Sequence, residues 1–156
     1  MPIIIRQVGV GLVVVLLQWL IFGRLKLWGA FPDIVLLYVA YIAIRYGRLP
    51  GAAAGFFTGF LMDAINQTWG LHMLVKTIMG FVVGLFRSEQ GETLRLNPIQ
   101  AAVGALVVAL VHNGVFVILL ALDEGMRTPM LITALWLGSA LYTAVVAMLG
   151  TLIRSR

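Results

Sequence analysis

Residues 51–84 read GAAAGFFTGFLMDAINQTWGLHMLVKTIMGFVVG. Two apolar stretches are joined here by the short connection Ala64–Trp69. In the first, Gly51, Gly55 and Gly59 recur every four residues, and Asp63 continues the row. In the second, His72, Lys76, Gly80 and Gly84 repeat the same spacing. Residues four apart share a helix face. The stretch therefore predicts two antiparallel helices, each with one face of small residues interrupted by ionisable groups. Small residues let helix backbones approach closely, which is how helices associate where lipid removes the hydrophobic drive. The rows serve either to pack these helices on each other or to contact a second copy or a partner.

The flanking sequence extends this hairpin into a membrane domain. Of 156 residues, 62% are hydrophobic and 11% charged, and Cys is absent. Soluble domains carry about 25% charged residues, so a water-soluble globule is excluded. Six apolar segments run roughly over 3–23, 31–46, 50–65, 70–86, 98–122 and 129–153. The first, fifth and sixth reach the ~20 residues a span needs; the second and third are shorter. A tight link, Tyr46-Gly47-Arg48-Leu49-Pro50, joins those two as a helical hairpin, with Pro50 in the first turn of the next helix. The run Val8–Phe22 has no small-x-small cleavage site after it and reads as a retained first span. The fold expected is all-α, a single six-helix transmembrane domain over residues 1–156.

Orientation follows from the cations. With six spans both termini share a side. That side holds Arg6, Arg45, Arg48, Arg87, Arg95, Arg154 and Arg156, against Arg24, Lys26 and Arg127 on the other. Seven against three places both termini in the cytoplasm. Asp33, Asp63, Asp123 and Glu124 then lie toward the outside, and Glu89 and Glu92 inside. Trp19, Trp28, Trp69 and Trp136 all fall in the outer half, while Tyr41 and Tyr46 lie toward the inner face. Interfacial aromatic residues are the expected pattern. The net charge of +5 is scattered rather than run together, so nucleic acid is not an expected partner and the lipid bilayer is.

Ionisable groups inside spans are costly and often functional. Asp63 sits near a helix C-terminus, where the dipole disfavours an anion, so it needs a donor or cation. Lys76 lies roughly 9 Å below the outer start of its helix at about 1.5 Å per residue. Its side chain leans back outward, which makes it the first choice of partner, with His72 second. Such a pair could lock the hairpin, help form a polar pocket, or serve a proton or ion path. His112-Asn113-Gly114 lies mid-way along the fifth segment; these polar groups must face protein or a cavity. They could bond between helices, with a slight kink at Gly114, or line a pocket. Ser139, Thr143, Ala147 and Thr151 form a small-residue row in the last span, read as close packing. The polar loop Arg87–Asn97 reads as a connector or a docking site.

Catalytic chemistry finds no constellation. Ser139 has no His after it, and the other serines are Ser88 and Ser155. There is no H-E-x-x-H, P-loop or G-x-S-x-G motif. The two histidines lie at different depths, so neither a metal nor another cofactor is expected, and the protein is not expected to be an enzyme.

From Phe31 to Arg87 the ordered marks are Pro32-Asp33 opening the second span, a glycine-rich third span ending in Gly59 and Asp63, and Gly70-Leu71 opening the fourth. This combination resembles the MreD family of bacterial rod shape-determining membrane proteins, with Pro32, Asp33, Gly59 and Asp63 as the matching positions. The resemblance implies a non-catalytic scaffold of the inner membrane. It would belong to the elongasome and influence cell shape by regulating peptidoglycan synthesis. It implies an MreC-like single-span partner and, indirectly, a RodA-type glycosyltransferase, a class B penicillin-binding protein and MreB. The layout is also similar to that of the substrate-binding subunits of energy-coupling-factor vitamin transporters. That likeness supplies the alternative, a subunit binding a small solute from outside, with His72, Lys76, Asp63, His112 and Asn113 as candidate liners.

Overall fold

The computed structural model describes residues 2–87, 97–123, 125 and 127–154. Loop residues 88–96, with Glu89, Glu92 and Arg95, lie outside the described residues, as do Glu124 and Arg156. The docking reading of that loop therefore has no structural counterpart here.

Among the described residues the chain forms six helices. They are α1 (Pro2–Leu17), α2 (Ile34–Tyr46), α3 (Arg48–Asn66), α4 (Leu71–Gly84), α5 (Pro98–Leu120) and α6 (Ser139–Arg154). A π-helical turn, Gln18–Phe22, extends α1 outward, and a π-helical segment, Leu131–Gly138, leads into α6. With these extensions Ile3–Phe22, Pro98–Leu120 and Leu131–Ile153 are long and apolar enough to cross a membrane. The protein is thus all-helical, with the span lengths of an integral membrane protein.

Helices α2 and α4 are shorter, at 13 and 14 residues. At about 1.5 Å per residue each covers only about 20 Å of a hydrocarbon core about 30 Å thick. Both start at the outer side, and Asp33 and Gly70 are their N-cap residues. Their shortness leaves two polar helix starts sunk among longer apolar helices. This is what places ionisable groups in the outer half of the domain.

The most extensive contact is between α3 and α4, followed by α5 with α6. Helix α2 lies on both members of the α3–α4 hairpin. The core between them is Leu36, Ala43, Val75, Met79, Val83, Ala109 and Ala140, with a smaller cluster of Val15, Val35 and Met62 beneath α1. Small residues in this core follow from close helix approach. Elsewhere α1 presents Ile4, Ile5, Val8, Leu12 and Leu16 outward, as a lipid-facing helix should.

The glycine rows of α3 and α4 face each other. A Cβ at Gly51 would come within 2.5 Å of the Gly80 carbonyl oxygen, and one at Gly59 within 2.5 Å of Met73 Cα. Gly55 lies against the Lys76 carbonyl, and Gly84 against the Arg48 backbone. All five positions, Gly51, Gly55, Gly59, Gly80 and Gly84, are thus covered within the chain.

Candidate functional site

The site starts at the two sunken helix ends. Asp33 caps α2, its Oδ1 accepting from Leu36 N–H at 2.8 Å. Its Oδ2 forms an ion pair with Lys76 Nζ, and Lys76 is fully buried. Both α2 and α4 run from outside to inside, so their N-terminal ends lie on one side. Lys76 leans back along α4 and meets the carboxylate at the start of α2.

This corrects the expectation that Lys76 pairs with Asp63. The Lys76 backbone lies directly against Gly55 of α3, so no side chain fits between α3 and α4 at that level. The ammonium leaves sideways into the space shared by α2 and α5. Asp63 instead takes backbone and hydroxyl donors. Its Oδ1 accepts from Thr68 Oγ1–H at 2.6 Å and His72 N–H at 2.9 Å, and its Oδ2 from Met73 N–H at 2.9 Å. The His72 ring is not its partner. A carboxylate disfavoured by the dipole of its own helix is held by the N-terminus of the next one.

Helix α5 completes the buried cluster. His112 Nε2 is 3.5 Å from Lys76 Nζ, and its Nδ1 is 2.9 Å from Asn113 Oδ1. Asn113 Nδ2 donates to the Trp136 carbonyl at 3.4 Å, and Trp136 Nε1 donates to the Leu110 carbonyl at 2.9 Å. Gly114 admits that indole, since a Cβ there would stand 3.2 Å from Trp136 Nε1. Phe116, one turn beyond His112, carries both imidazoles. Its ring centroid is 4.7 Å from His72 and 6.2 Å from His112. His72 Nδ1 is buried and has no hydrogen-bond partner.

A second layer fixes the chain entering α2. Gln18, 2% exposed, donates from Nε2 to the Pro32 carbonyl at 2.9 Å and accepts at Oε1 from Ile34 N–H at 2.9 Å. Thr143 Oγ1 accepts from Asp33 N–H at 3.0 Å, and Ser139 Oγ accepts from Phe31 N–H at 3.2 Å. The hydroxyls of the α6 row therefore hold the outer loop as well as allowing close packing. The turn Leu27–Ala30 in that loop is closed by two backbone hydrogen bonds, with Trp28 and Gly29 both at positive φ.

Lys76, His112 and Asn113 are thus brought together with Asp33, His72 stands beside them on Phe116, and Asp63 holds the hairpin turn. The sequence reading missed Gln18, Phe116 and the capping by Thr143 and Ser139. A lone Gln inside an apolar run was the available signal for the first. Chemically the cluster offers a neutralised ion pair, an amide, two imidazoles and an aromatic face. Among the described residues no group of three or more His, Asp or Glu side chains could hold a metal ion.

Helices and cluster together define a small all-helical membrane protein with buried polar groups in its outer half. The chain belongs to the family described as ECF-type riboflavin transporter, S component, whose family model matches residues 3–154. No curated protein and no solved structure matches it. Its family is one of transporter components, and the protein is not an enzyme.

Family membership overturns the MreD resemblance and what it implied. The elongasome and cell-shape function, the scaffold mechanism and the MreC-like partner fall with it. So do the indirect links to a RodA-type glycosyltransferase, a class B penicillin-binding protein and MreB. The physical reason lies in the matching positions. Pro32 and Asp33 form the entry to α2, Gly59 admits the α4 backbone, and Asp63 caps α4. Any tightly packed hairpin of short helices in a membrane needs such residues, so they do not single out one family.

Proposed function

We propose that the protein is the substrate-binding component of an ECF-type transporter. It would take riboflavin from the outer side of the membrane and work with separate membrane and ATPase components of that transporter. The observation that carries this reading is the family match over residues 3–154. The domain acts as a single transmembrane unit.

The outer-half cluster is the proposed binding region. A flavin is a flat apolar ring system with hydrogen-bonding edges, and such ligands need an aromatic face plus a few placed polar groups. Phe116 supplies the face. His72 Nδ1 supplies a buried polar atom that lacks a partner. Leaving such an atom unpaired costs about 1–3 kcal/mol, which a ligand's donor would relieve. Lys76 and His112 are shut away from solvent, so entry requires the outer loop, tied to α6 through Phe31 and Ser139, to open.

The test is titration of the purified protein with riboflavin, read by quenching of flavin fluorescence. Saturable one-to-one binding is expected, weakened by Phe116→Ala and by His72→Ala. Leu149→Ala, at an exposed position of α6, should leave it unchanged. A folded protein that shows no saturable binding overturns the reading.

A further inference from the structure

The α2–α3 junction and the end of α4 border an open surface cleft of about 480 Å³, lined by Gly47, Arg48, Gly84, Leu85 and Arg87. It lies at the inner face, at the opposite end of α2 and α4 from the polar cluster. Gly47, at φ 98°, lets the chain turn directly from one helix into the next. Arg87 lies across that turn, its Nη1 3.5 Å from the Tyr46 carbonyl. Arg48 leans over the Phe81 ring, its guanidinium carbon 5.9 Å from the centroid. Arg45 projects nearby over Tyr46 at 5.8 Å. Among the described residues the acids, Asp33, Asp63 and Asp123, all lie toward the outer side; Glu89 and Glu92, on the inner side, are outside the described residues.

Two further features fit one occupant. No side chain caps the start of α3; Pro50 has no N–H and the Gly51 N–H is bonded to the Gly47 carbonyl at 3.0 Å, which leaves the Arg48 and Leu49 N–H groups and the positive dipole end beside the cleft. The rim is apolar and open to lipid, with Leu49 at 71%, Leu85 at 55% and Phe86 at 78% exposure. An anion with an attached hydrocarbon tail satisfies both the cationic floor and the apolar rim; a soluble anion satisfies only the floor.

We propose that this cleft binds the phosphate headgroup of an anionic phospholipid of the inner leaflet, gripped by Arg48 and Arg87 with its acyl chains along Leu49, Leu85 and Phe86. The proposal does not depend on which solute the outer half binds. Arginine suits the role through its planar, multi-donor recognition of phosphate.

The experiment is native mass spectrometry of the protein released from mixed phosphatidylglycerol and phosphatidylcholine bilayers. Preferential retention of phosphatidylglycerol is expected. Each arginine replaced, as Arg48→Gln or Arg87→Gln, should lower that retention about fivefold. Arg48→Lys with Arg87→Lys should keep part of it, and the outer pair Arg24→Gln with Lys26→Gln should keep all of it. Equal retention of both lipids, or retention unaffected by the arginine variants, overturns the proposal. Displacement by millimolar inorganic phosphate overturns the lipid assignment and makes the site one for a soluble phosphate.

Discussion

Lys76 of α4 and Asp33 at the start of α2, 43 residues apart, form a buried ion pair, although Asp63 is much nearer in sequence. Pair and cap obey one rule. Each carboxylate sits at the N-terminal end of a helix, Asp33 at its own and Asp63 at that of the next. Inside a bilayer an uncompensated charge is too costly to leave, and here two anions share one ammonium and two helix starts.

Removing one member of the pair should be worse than removing both. Lys76→Met or Asp33→Asn is expected to cost about 3–5 kcal/mol, the usual cost of leaving a buried charge alone. The double variant should cost clearly less than the sum. Unfolding in detergent for the four proteins of the cycle measures this, and strict additivity would sink the pairing.

Asp63→Ala strips three donors of their acceptor at once. A loss of about 3 kcal/mol or more is expected, since lost charge-assisted bonds and orphaned N–H groups each cost about 1–3 kcal/mol. Thr68→Val removes only one hydroxyl and should cost about 1 kcal/mol. Hydrogen exchange at the His72 and Met73 amides should rise in the first variant. Unchanged protection there would show that the carboxylate does not hold the start of α4.

The glycines should separate into two classes. Gly55→Leu and Gly59→Leu drive side chains into the α4 backbone, and overpacking costs about 1–3 kcal/mol or more. Gly104 and Gly150 have open space around them. Replacing either by Ala should stabilise its helix by about 0.5–1 kcal/mol. Thermal unfolding of the four variants should move in opposite directions; a uniform response would refute the packing described.

Gln18→Leu keeps size and adds apolar surface, yet it should destabilise by about 1–3 kcal/mol. It orphans the Pro32 carbonyl and the Ile34 N–H together. Limited proteolysis within residues 24–33 should accelerate in the variant. Cleavage at the wild-type rate would mean that Gln18 does not anchor this loop.

Much of this architecture could be read from the chain alone. Hydropathy and the cation asymmetry gave six helices, their order and their orientation, because in lipid each helix satisfies its own backbone. The four-residue glycine spacing located the α3–α4 contact for the same local reason. It did not disclose that close backbone approach at Gly55 and Lys76 would push the ammonium sideways. Nor did position in the chain indicate that the Ser139–Thr143 row would hold residues 31–33. Those facts depend on which helix ends lie side by side. Two short helices starting at the same side bring Asp33 to Lys76, and only the assembled bundle sets that neighbourhood. Span and sidedness come from chemistry repeated along the sequence; the partner of each buried charge comes from depth and direction in three dimensions.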